Sequence, residues 1–536
     1  MAQIPVRLTT REMYFPLLSN QQGPTVIDGR GDLTFIKGAS SEARDSPSAL
    51  GYPGVYYAHN VLPSTYGWQS VGYTDQWEAS ATTGFYDIEV CQGATLQDNY
   101  PSSTTRRTYI AAVYDSGLGT TSLYYRTELG AWDTPLIDGL GTPLTVGGKP
   151  QLTTANLNGV TYIYFQGAPG AYVLDTTLGT LYLRTLAGLS IGNIRGIFSS
   201  SGYMLAWSNS GVSWSSVIDV EDFVPSDVTD AGGGAIQEIR GEIIYCRPCD
   251  LGFIVFSDIN AVIALYTANS KFPFEFRELS SSGGVASQVQ VSREDVEGKT
   301  YAYTTSGIQA INQISVDNVL TQVADFVSNK IFEDFDEATL TFTAQTLEQD
   351  MGRAVEVIAN RYVIISYSSG SLTNFTHAIV IDSKYQRMGK LKCPHVSAFP
   401  YKEIQGGVLQ DSKSKIAFLQ TDGTVKVLDF NIETTNNSGV ILFGKFQYAR
   451  TRWLQMQQVE MENGSRFGSL DAMLYTSYTG EDLLGPISGY PESPDITTAR
   501  RKSWYFTSAG KNLSLLFIGG FDIISLVIHF NLHGKY

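Results

Sequence analysis

The sequence has few charged residues, and the acidic ones outnumber the basic ones. Asp, Glu, Lys and Arg make up 17% of the 536 residues, against about 25% in a typical soluble domain. The 52 acidic and 37 basic residues give a net charge of −15 at pH 7. Because nucleic-acid binding depends on Lys and Arg that neutralise phosphates, this balance argues against a protein that grips DNA or RNA.

Cysteines and long apolar runs are also scarce. Four cysteines are too few for a disulfide framework, which favours reduced thiols in a protein made in the cytoplasm. Residues 1–10 contain no apolar core of a secretory signal, so we expect none. The longest apolar stretch, residues 513–528, is too short and too polar to cross a bilayer, and a Gly519-Gly520 pair divides it. We therefore predict no membrane insertion, and two strands joined by a turn in this stretch.

Strand patterning is abundant in a chain with 31 Tyr, 26 Phe and 52 Gly. Seven times, an alternating apolar strand is followed by a turn rich in Gly, Asn, Asp or Ser and by a second alternating strand. The turns centre near residues 117, 167, 209, 258, 305, 371 and 422. A propeller blade takes about 40–50 residues and contains one such hairpin. We predict an all-β, divergent β-propeller of about six to seven blade equivalents; a series of β-sandwich domains is the alternative.

The flanks of this repeat differ from it. Residues 1–100, rich in Gly, Pro and Ser, are predicted to form an N-terminal arm and the first propeller strands, and residues 101–430 the propeller. Residues 448–462 alternate polar and apolar side chains, which predicts a long two-faced strand. We therefore expect residues 431–536 to form a C-terminal β-sandwich-like platform.

Two groups of residues could carry chemistry. Cys246 and Cys249, with Cys393 and His395, have the residue types of a zinc site, but the Cys-x-His spacing is tighter than usual, which favours buried thiols without metal. Acidic residues could supply the two carboxylates of a glycosidase, although neighbouring residues of one strand point to opposite faces, which favours a solvated or lumen-facing patch. The acidic candidates are Glu221, Asp222, Glu333, Asp334, Asp336 and Glu337.

Several segments resemble the tail nozzle proteins of short-tailed bacteriophages, also called tail tubular protein B or tail hub proteins. Residues 212–225 (VSWSSVIDVEDFVP) resemble their W-S…D-F…P segment, and residues 60–73 (NVLPSTYGWQSVGY) resemble an entry segment of the family. Residues 510–526 resemble their closing strands. The likeness is patchy, spans residues 50–536 and includes no catalytic motif.

The resemblance implies a virion protein, made in the host cytoplasm, that is a structural subunit and not an enzyme. Nozzle proteins combine a propeller with a β platform, and six copies form a ring below the tail adaptor and portal. Phage DNA is ejected through the lumen of that ring without specific binding, and an acidic wall would repel it. We expect no cofactor and no metal, and Glu333, Asp334, Asp336 and Glu337 are predicted to line or gate the lumen. Tail fibre or needle proteins are further candidate partners, left open because this chain is shorter than the larger nozzles.

Two other functions are compatible with a propeller. One is a glycan hydrolase of the tail, which needs two carboxylates in one pocket. The other is a receptor-binding or glycan-binding tail protein without catalysis.

Overall fold

The structure is a computed structural model of the chain. It describes residues 3–8, 25–27, 33–35, 55–63, 68–77, 82–97, 100–127, 130–137, 141–226, 228–269, 272–294, 298–312, 315–318, 333–336, 341–344, 354–358, 361–369, 373–382, 387–405, 408–430, 438–443, 446–447, 453–464, 469–477, 484–488, 490–491, 501–510 and 512–533. Within these ranges the protein is all-β, with two short 3₁₀ turns at Ile191–Asn193 and Gln288–Gln290 and no α-helix. The same residues contain no helix long and apolar enough to span a membrane.

Seven four-stranded antiparallel units, the blades, follow one another along the chain. In each blade as given below, the first strand is the inner one, which contacts the neighbouring blades' inner strands, and the last is the outer one. Blade 1 is Phe85–Gln97, Tyr100–Asp115, Thr120–Thr127 and Thr145–Gly147; blade 2 is Leu152–Leu157, Val160–Phe165, Ala171–Asp175 and Thr180–Arg184; blade 3 is Gly196–Ser200, Tyr203–Trp207, Gly211–Trp214 and Gly232–Ala235; blade 4 is Ile243–Cys249, Gly252–Ser257, Ala261–Tyr266 and Phe274–Glu278; blade 5 is Val291–Glu294, Thr300–Thr304, Gly307–Ile311 and Val316–Asn318; blade 6 is Ala354–Ile358, Tyr362–Tyr367, Phe375–Asp382 and Arg387–His395; blade 7 is Ser397–Gln405, Val408–Leu419, Val425–Asp429 and Gly72–Trp77.

The seven blades form a closed ring. The inner strand of each blade contacts that of the next, and the inner strand of blade 7 contacts that of blade 1. The strand Gly72–Trp77, which precedes blade 1 in the chain, pairs with Val425–Asp429 and completes blade 7. One blade is thus built from two distant parts of the chain, and this pairing closes the propeller. The predicted propeller is confirmed, with seven blades.

All seven hairpins predicted from the sequence are the middle two strands of a blade. In blade 2, for example, Val160–Phe165 and Ala171–Asp175 flank the turn near residue 167. Every residue of these two strands is buried, because they lie between the neighbouring blades. The middle hairpin of each blade therefore carries the strongest apolar signal in the sequence.

A platform of two further sheets stands beside the propeller. The first sheet contains Gln3–Leu8, Trp453–Asn463, Tyr490–Pro491, Arg501–Tyr505, Ala509–Gly510 and Asp522–His533, and continues through Trp68–Ser70 and Val61–Pro63 into blade 6. The second sheet contains Thr25–Ile27, Leu33–Phe35, Val55–His59, Gly439–Phe443, Phe446–Gln447, Leu470–Ser477, Leu484–Ser488 and Asn512–Gly519. The platform therefore combines strands from both ends of the chain.

One hydrophobic core joins the two platform sheets to the propeller. Met456 and Phe530 from the first sheet and Phe517 from the second belong to the same buried cluster, as expected for a β-sandwich. Tyr301 of blade 5 and Ile365 of blade 6 belong to it too. The predicted sandwich-like platform is thus present, and it is packed directly against blades 5 and 6. The boundaries at residues 100 and 430 stay a prediction.

Two smaller elements lie outside this scheme. A short strand at Leu136–Ile137 pairs in parallel with Thr180–Arg184, the outer strand of blade 2. A two-stranded hairpin, Glu333–Asp336 with Thr341–Ala344, is inserted between the outer strand of blade 5 and the inner strand of blade 6.

Trp77 tests the importance of ring closure, because it is 4% exposed where blade 7 meets blade 1. Its ring lies 4.9 Å from that of Tyr109 and 5.5 Å from that of Trp132. We expect Trp77→Ala to lower the free energy of unfolding by about 3–5 kcal/mol through the cavity it leaves. Urea denaturation measures this change. Trp453→Ala, at a position 40% exposed, is the comparison variant and should cost less than Trp77→Ala, because part of its ring already lies in water. Equal losses in the two variants would contradict the role given to Trp77.

Candidate functional site: the channel of the propeller

The candidate site is the central channel, where the inner strands of the blades face one another. One cavity of about 90 Å³ is lined by strands of blades 1, 2, 4, 5, 6 and 7. A second, of about 420 Å³ and open to solvent, is lined by blades 1 to 5. Four side chains line both cavities and so lie between them: Glu89, Tyr245, Arg247 and Arg293.

An ion-pair network crosses the channel at this level. Arg293 of blade 5 donates from Nη2 to Oε2 of Glu89, in blade 1, at 3.1 Å. Its Nε lies 3.4 Å from Oε1 of Glu356, in blade 6. Burial alone would lower the pKa of Arg293, but the two carboxylates outweigh this effect and raise it, so the guanidinium stays charged. The network ties three inner strands together at the level where the two cavities meet.

Asp87 is a third acidic residue beside this network. It precedes Glu89 by two residues on the inner strand of blade 1, and its Oδ1 accepts a hydrogen bond from the Ile88 amide at 2.9 Å. Burial, and then the negative charge of Glu89, raise the pKa of Asp87 to about 7. Asp87 is therefore partly protonated at neutral pH, which reduces the repulsion among the channel carboxylates.

Blade 4 contributes an aromatic and a basic side chain. The Arg247 guanidinium donates to the Tyr245 hydroxyl at 2.9 Å, and its carbon lies 6.0 Å from the centre of that ring. Burial raises the pKa of Tyr245, so its hydroxyl remains protonated. The two residues are two apart on one strand, which puts both on its channel-facing side.

The acidic residues predicted to line a lumen lie away from this network in the chain. Glu333, Asp334 and Asp336 are on the first strand of the hairpin between blades 5 and 6. Glu337 lies outside the described residues. Their role in a lumen or gate stays a prediction.

The cysteines and histidine considered for a metal site lie in different blades. Cys246 is buried in blade 4, whereas Cys393 and His395 are on the outer strand of blade 6. Nδ1 of His395 donates to the Cys393 carbonyl and Nε2 accepts from Ser366 Oγ, each at 2.7 Å, and burial lowers the histidine pKa to about 4. Both ring nitrogens are thus engaged. Across the described residues, no group of three or more His, Cys, Asp or Glu is arranged to hold a metal.

The other acidic pair, Glu221 and Asp222, is on the loop between the outer two strands of blade 3 and not in the channel. Glu221 lies 3.7 Å from Nε of Arg184. The channel residues themselves were missed by the sequence analysis. A sequence pattern that could have indicated them is a pair of charged residues two positions apart in an otherwise apolar strand, as in Asp87 and Glu89. Such a pair lies on one face of the strand.

No known protein-family model and no curated protein matches this chain. Solved structures match over most of its length at low similarity. PorZ of Porphyromonas gingivalis, a surface component of the type-IX secretion system, is 8% identical with a TM-score of 0.37, covering 83% of this chain and 57% of PorZ. This chain thus spans little more than half of PorZ.

Two further structures are similar to the same limited degree. A glycoside hydrolase is 10% identical with a TM-score of 0.24, covering 85% of this chain and 100% of the hydrolase chain. The N-terminal domain of Nup159 is 10% identical with a TM-score of 0.31, covering 70% of this chain and 99% of that domain. At these scores the similarities carry no argument about activity.

The raised pKa of Asp87 predicts a pH-dependent stability. The folded-state pKa of about 7 lies above the ordinary value of 3.8, so the folded protein binds more protons than the unfolded chain between these values. Stability contributed by this group is present at low pH and is lost as the pH rises through about 7. We expect Asp87→Asn to be as stable as the parent protein near the low end of this window and more stable above it.

Urea midpoints measured across the pH range test this expectation. The control is Asp175→Asn, at an aspartate in blade 2 whose Oδ1 caps the turn after its strand through the Thr177 amide. Asp175→Asn should lower the stability at every pH, but the stability of this variant should still fall as the pH rises from 3.8 to about 7. A parent protein whose stability does not fall in this range would contradict the assignment to Asp87.

Proposed function

We propose that the protein is a structural subunit of the short tail of a bacteriophage, forming a nozzle ring through which the genome is ejected. The observation that carries the proposal is the architecture: a closed propeller whose blades 5 and 6 share one core with a β-sandwich platform. This is the combination that the resemblance of residues 50–536 to nozzle proteins implies. A propeller and a platform that share one close-packed core resist deformation. A tail subunit that carries the force of genome ejection needs this resistance.

The charged side chains in the channel favour a DNA path that lies between the subunits of the ring over one through each propeller. The Arg293 network with Glu89 and Glu356 stands between the two cavities of the channel. Because Arg293 of blade 5 contacts Glu89 of blade 1 across the channel, a DNA duplex does not fit between the described inner strands at this level. In the proposed ring, the lumen is formed by several copies around a common axis, and the net charge of −15 keeps DNA from binding to the protein.

A loop of blade 3 with exposed apolar side chains is the candidate contact between copies. The loop between the outer two strands of blade 3 is anchored by Phe223, which is 2% exposed and packs with residues of blades 2 and 3. On its outside, Ile218 is 90% and Val228 86% exposed. Side chains this exposed are accessible to a neighbouring copy, which would remove their apolar surface from water. The same loop contains most of residues 212–225, one of the segments that resemble the nozzle family.

The remaining features of the proposal follow from the resemblance to nozzle proteins. The ring would contain six copies, lie in the virion below the adaptor and be assembled in the host cytoplasm. Tail fibre or needle proteins are further candidate partners.

A glycan hydrolase is the second candidate, because one observation favours it. Asp87, with a pKa near 7, lies beside Glu89, whose carboxylate is paired with Arg293. Glycosidic hydrolysis requires two carboxyl groups in one cavity, one of which donates a proton. The pairing of Glu89 and Glu356 with the same guanidinium weighs against it, because it holds both carboxylates away from a substrate.

Assembly of the full-length chain tests the structural proposal. We expect electron microscopy and native mass spectrometry to show a six-fold ring with an axial opening. Ile218→Asp introduces a charge into the proposed contact and should yield monomers, whereas Leu118→Asp, at an exposed turn of blade 1, should leave the ring intact. A parent chain that stays monomeric at its highest soluble concentration contradicts the proposed function. A ring that survives Ile218→Asp contradicts only the role of the loop.

Release of sugars from host polysaccharide tests the hydrolase alternative. If it is correct, the parent protein releases oligosaccharides, and Asp87→Asn lowers the rate by at least about a hundredfold because the proton donor is lost. Circular dichroism establishes that both proteins are folded. No release by the folded parent protein would end this alternative.

A further inference from the structure

Arg247 has an unusual position among the charged residues of the channel. It is on the inner strand of blade 4, Ile243–Cys249, and its side chain lines both cavities. Its guanidinium donates a hydrogen bond to the Tyr245 hydroxyl at 2.9 Å. No carboxylate of the described residues lies within ion-pair distance of it, whereas Arg293 is paired with both Glu89 and Glu356.

The donors of Arg247 are therefore mostly available to a ligand. A guanidinium carries five N–H donors in a planar fork that matches a carboxylate or phosphate. One donor is used by Tyr245. The neighbouring cation, Arg293, has two carboxylate partners, so it does not compete for an anion that enters the channel.

The cavity beside Arg247 has the size and polarity of a ligand site. Its volume is about 420 Å³, and small-molecule sites span about 300–1,000 Å³. Hydroxyl and amide side chains of blades 2 and 3 line the wall, and they are Thr153, Thr154, Asn156 and Ser199. Glu89 and Asp250 line it as well, which disfavours a ligand with several negative charges.

We propose that Arg247 anchors the carboxylate of a small, singly charged, hydroxyl-bearing ligand in this cavity. A uronic acid has this chemistry: its carboxylate pairs with the guanidinium, and its hydroxyls meet the polar side chains of blades 2 and 3. The site lies within one propeller and adds a ligand-binding role to a structural subunit. It does not depend on ring formation.

Calorimetric titration of the full-length protein tests the site with three probes. D-glucuronate supplies the carboxylate and the hydroxyls, D-glucose lacks the charge, and inorganic phosphate lacks the carbon skeleton. We expect glucuronate to bind, glucose not to bind detectably, and phosphate to bind more weakly than glucuronate. Arg247→Gln should weaken glucuronate binding at least about tenfold, and Arg247→Lys should restore only part of it because a lysine cannot form the paired contact.

Arg277→Gln is the matched control. Arg277 is on the outer strand of the same blade, is exposed, and pairs with Glu275 at 2.9 Å, so its replacement should leave binding unchanged. Urea midpoints of the Arg247 variants, compared with the parent, separate a local loss of binding from unfolding. The proposal is overturned if the parent does not bind glucuronate, if glucose binds equally well, if phosphate binds more tightly, or if Arg247→Gln binds as the parent does. None of these outcomes bears on ring assembly, which is measured separately.

Discussion

The strand Gly72–Trp77 hydrogen bonds to Val425–Asp429, and through this pairing the propeller becomes a closed ring. The two strands are separated by the whole of blades 1 to 6. Trp132 of blade 1 adds a hydrogen bond from Nε1 to the Gly423 carbonyl of blade 7 at 3.0 Å. In the closed ring, each blade packs between two neighbouring blades. Closure also fixes the distances across the channel on which the Arg293 network depends.

The platform also depends on pairing between strands that are distant in the sequence, here the two ends of the described chain. Gln3–Leu8 pairs with Asp522–His533, and Trp68–Ser70 links that strand to the outer strand of blade 6 through Val61–Pro63. The first and last strands of the described chain therefore lie in one sheet. Because the platform core includes Tyr301 and Ile365 of the propeller, the two parts are one packed unit. This rigidity suits a structural role better than it suits a site that opens and closes.

The channel gives the protein a feature that a purely structural role does not require. Glu89, Arg293 and Glu356 neutralise one another across the channel, whereas Arg247 faces a polar cavity with a hydroxyl as its hydrogen-bond partner. Structural ion pairs stabilise by mutual compensation, so a cation in the same channel that lacks a carboxylate partner among the described residues indicates a place for an external anion.

The sequence by itself determined the seven middle hairpins and the two closing strands, because alternation and turn chemistry act between neighbouring residues. It did not determine that Asn512–Gly519 and Asp522–His533 would enter different sheets at their Gly-Gly turn. Nor did it bring together Glu89 and Arg293, which are 204 residues apart. Only the tertiary structure decided these partners, because pairing between distant strands depends on the packing of the whole ring and leaves no periodic trace in either segment.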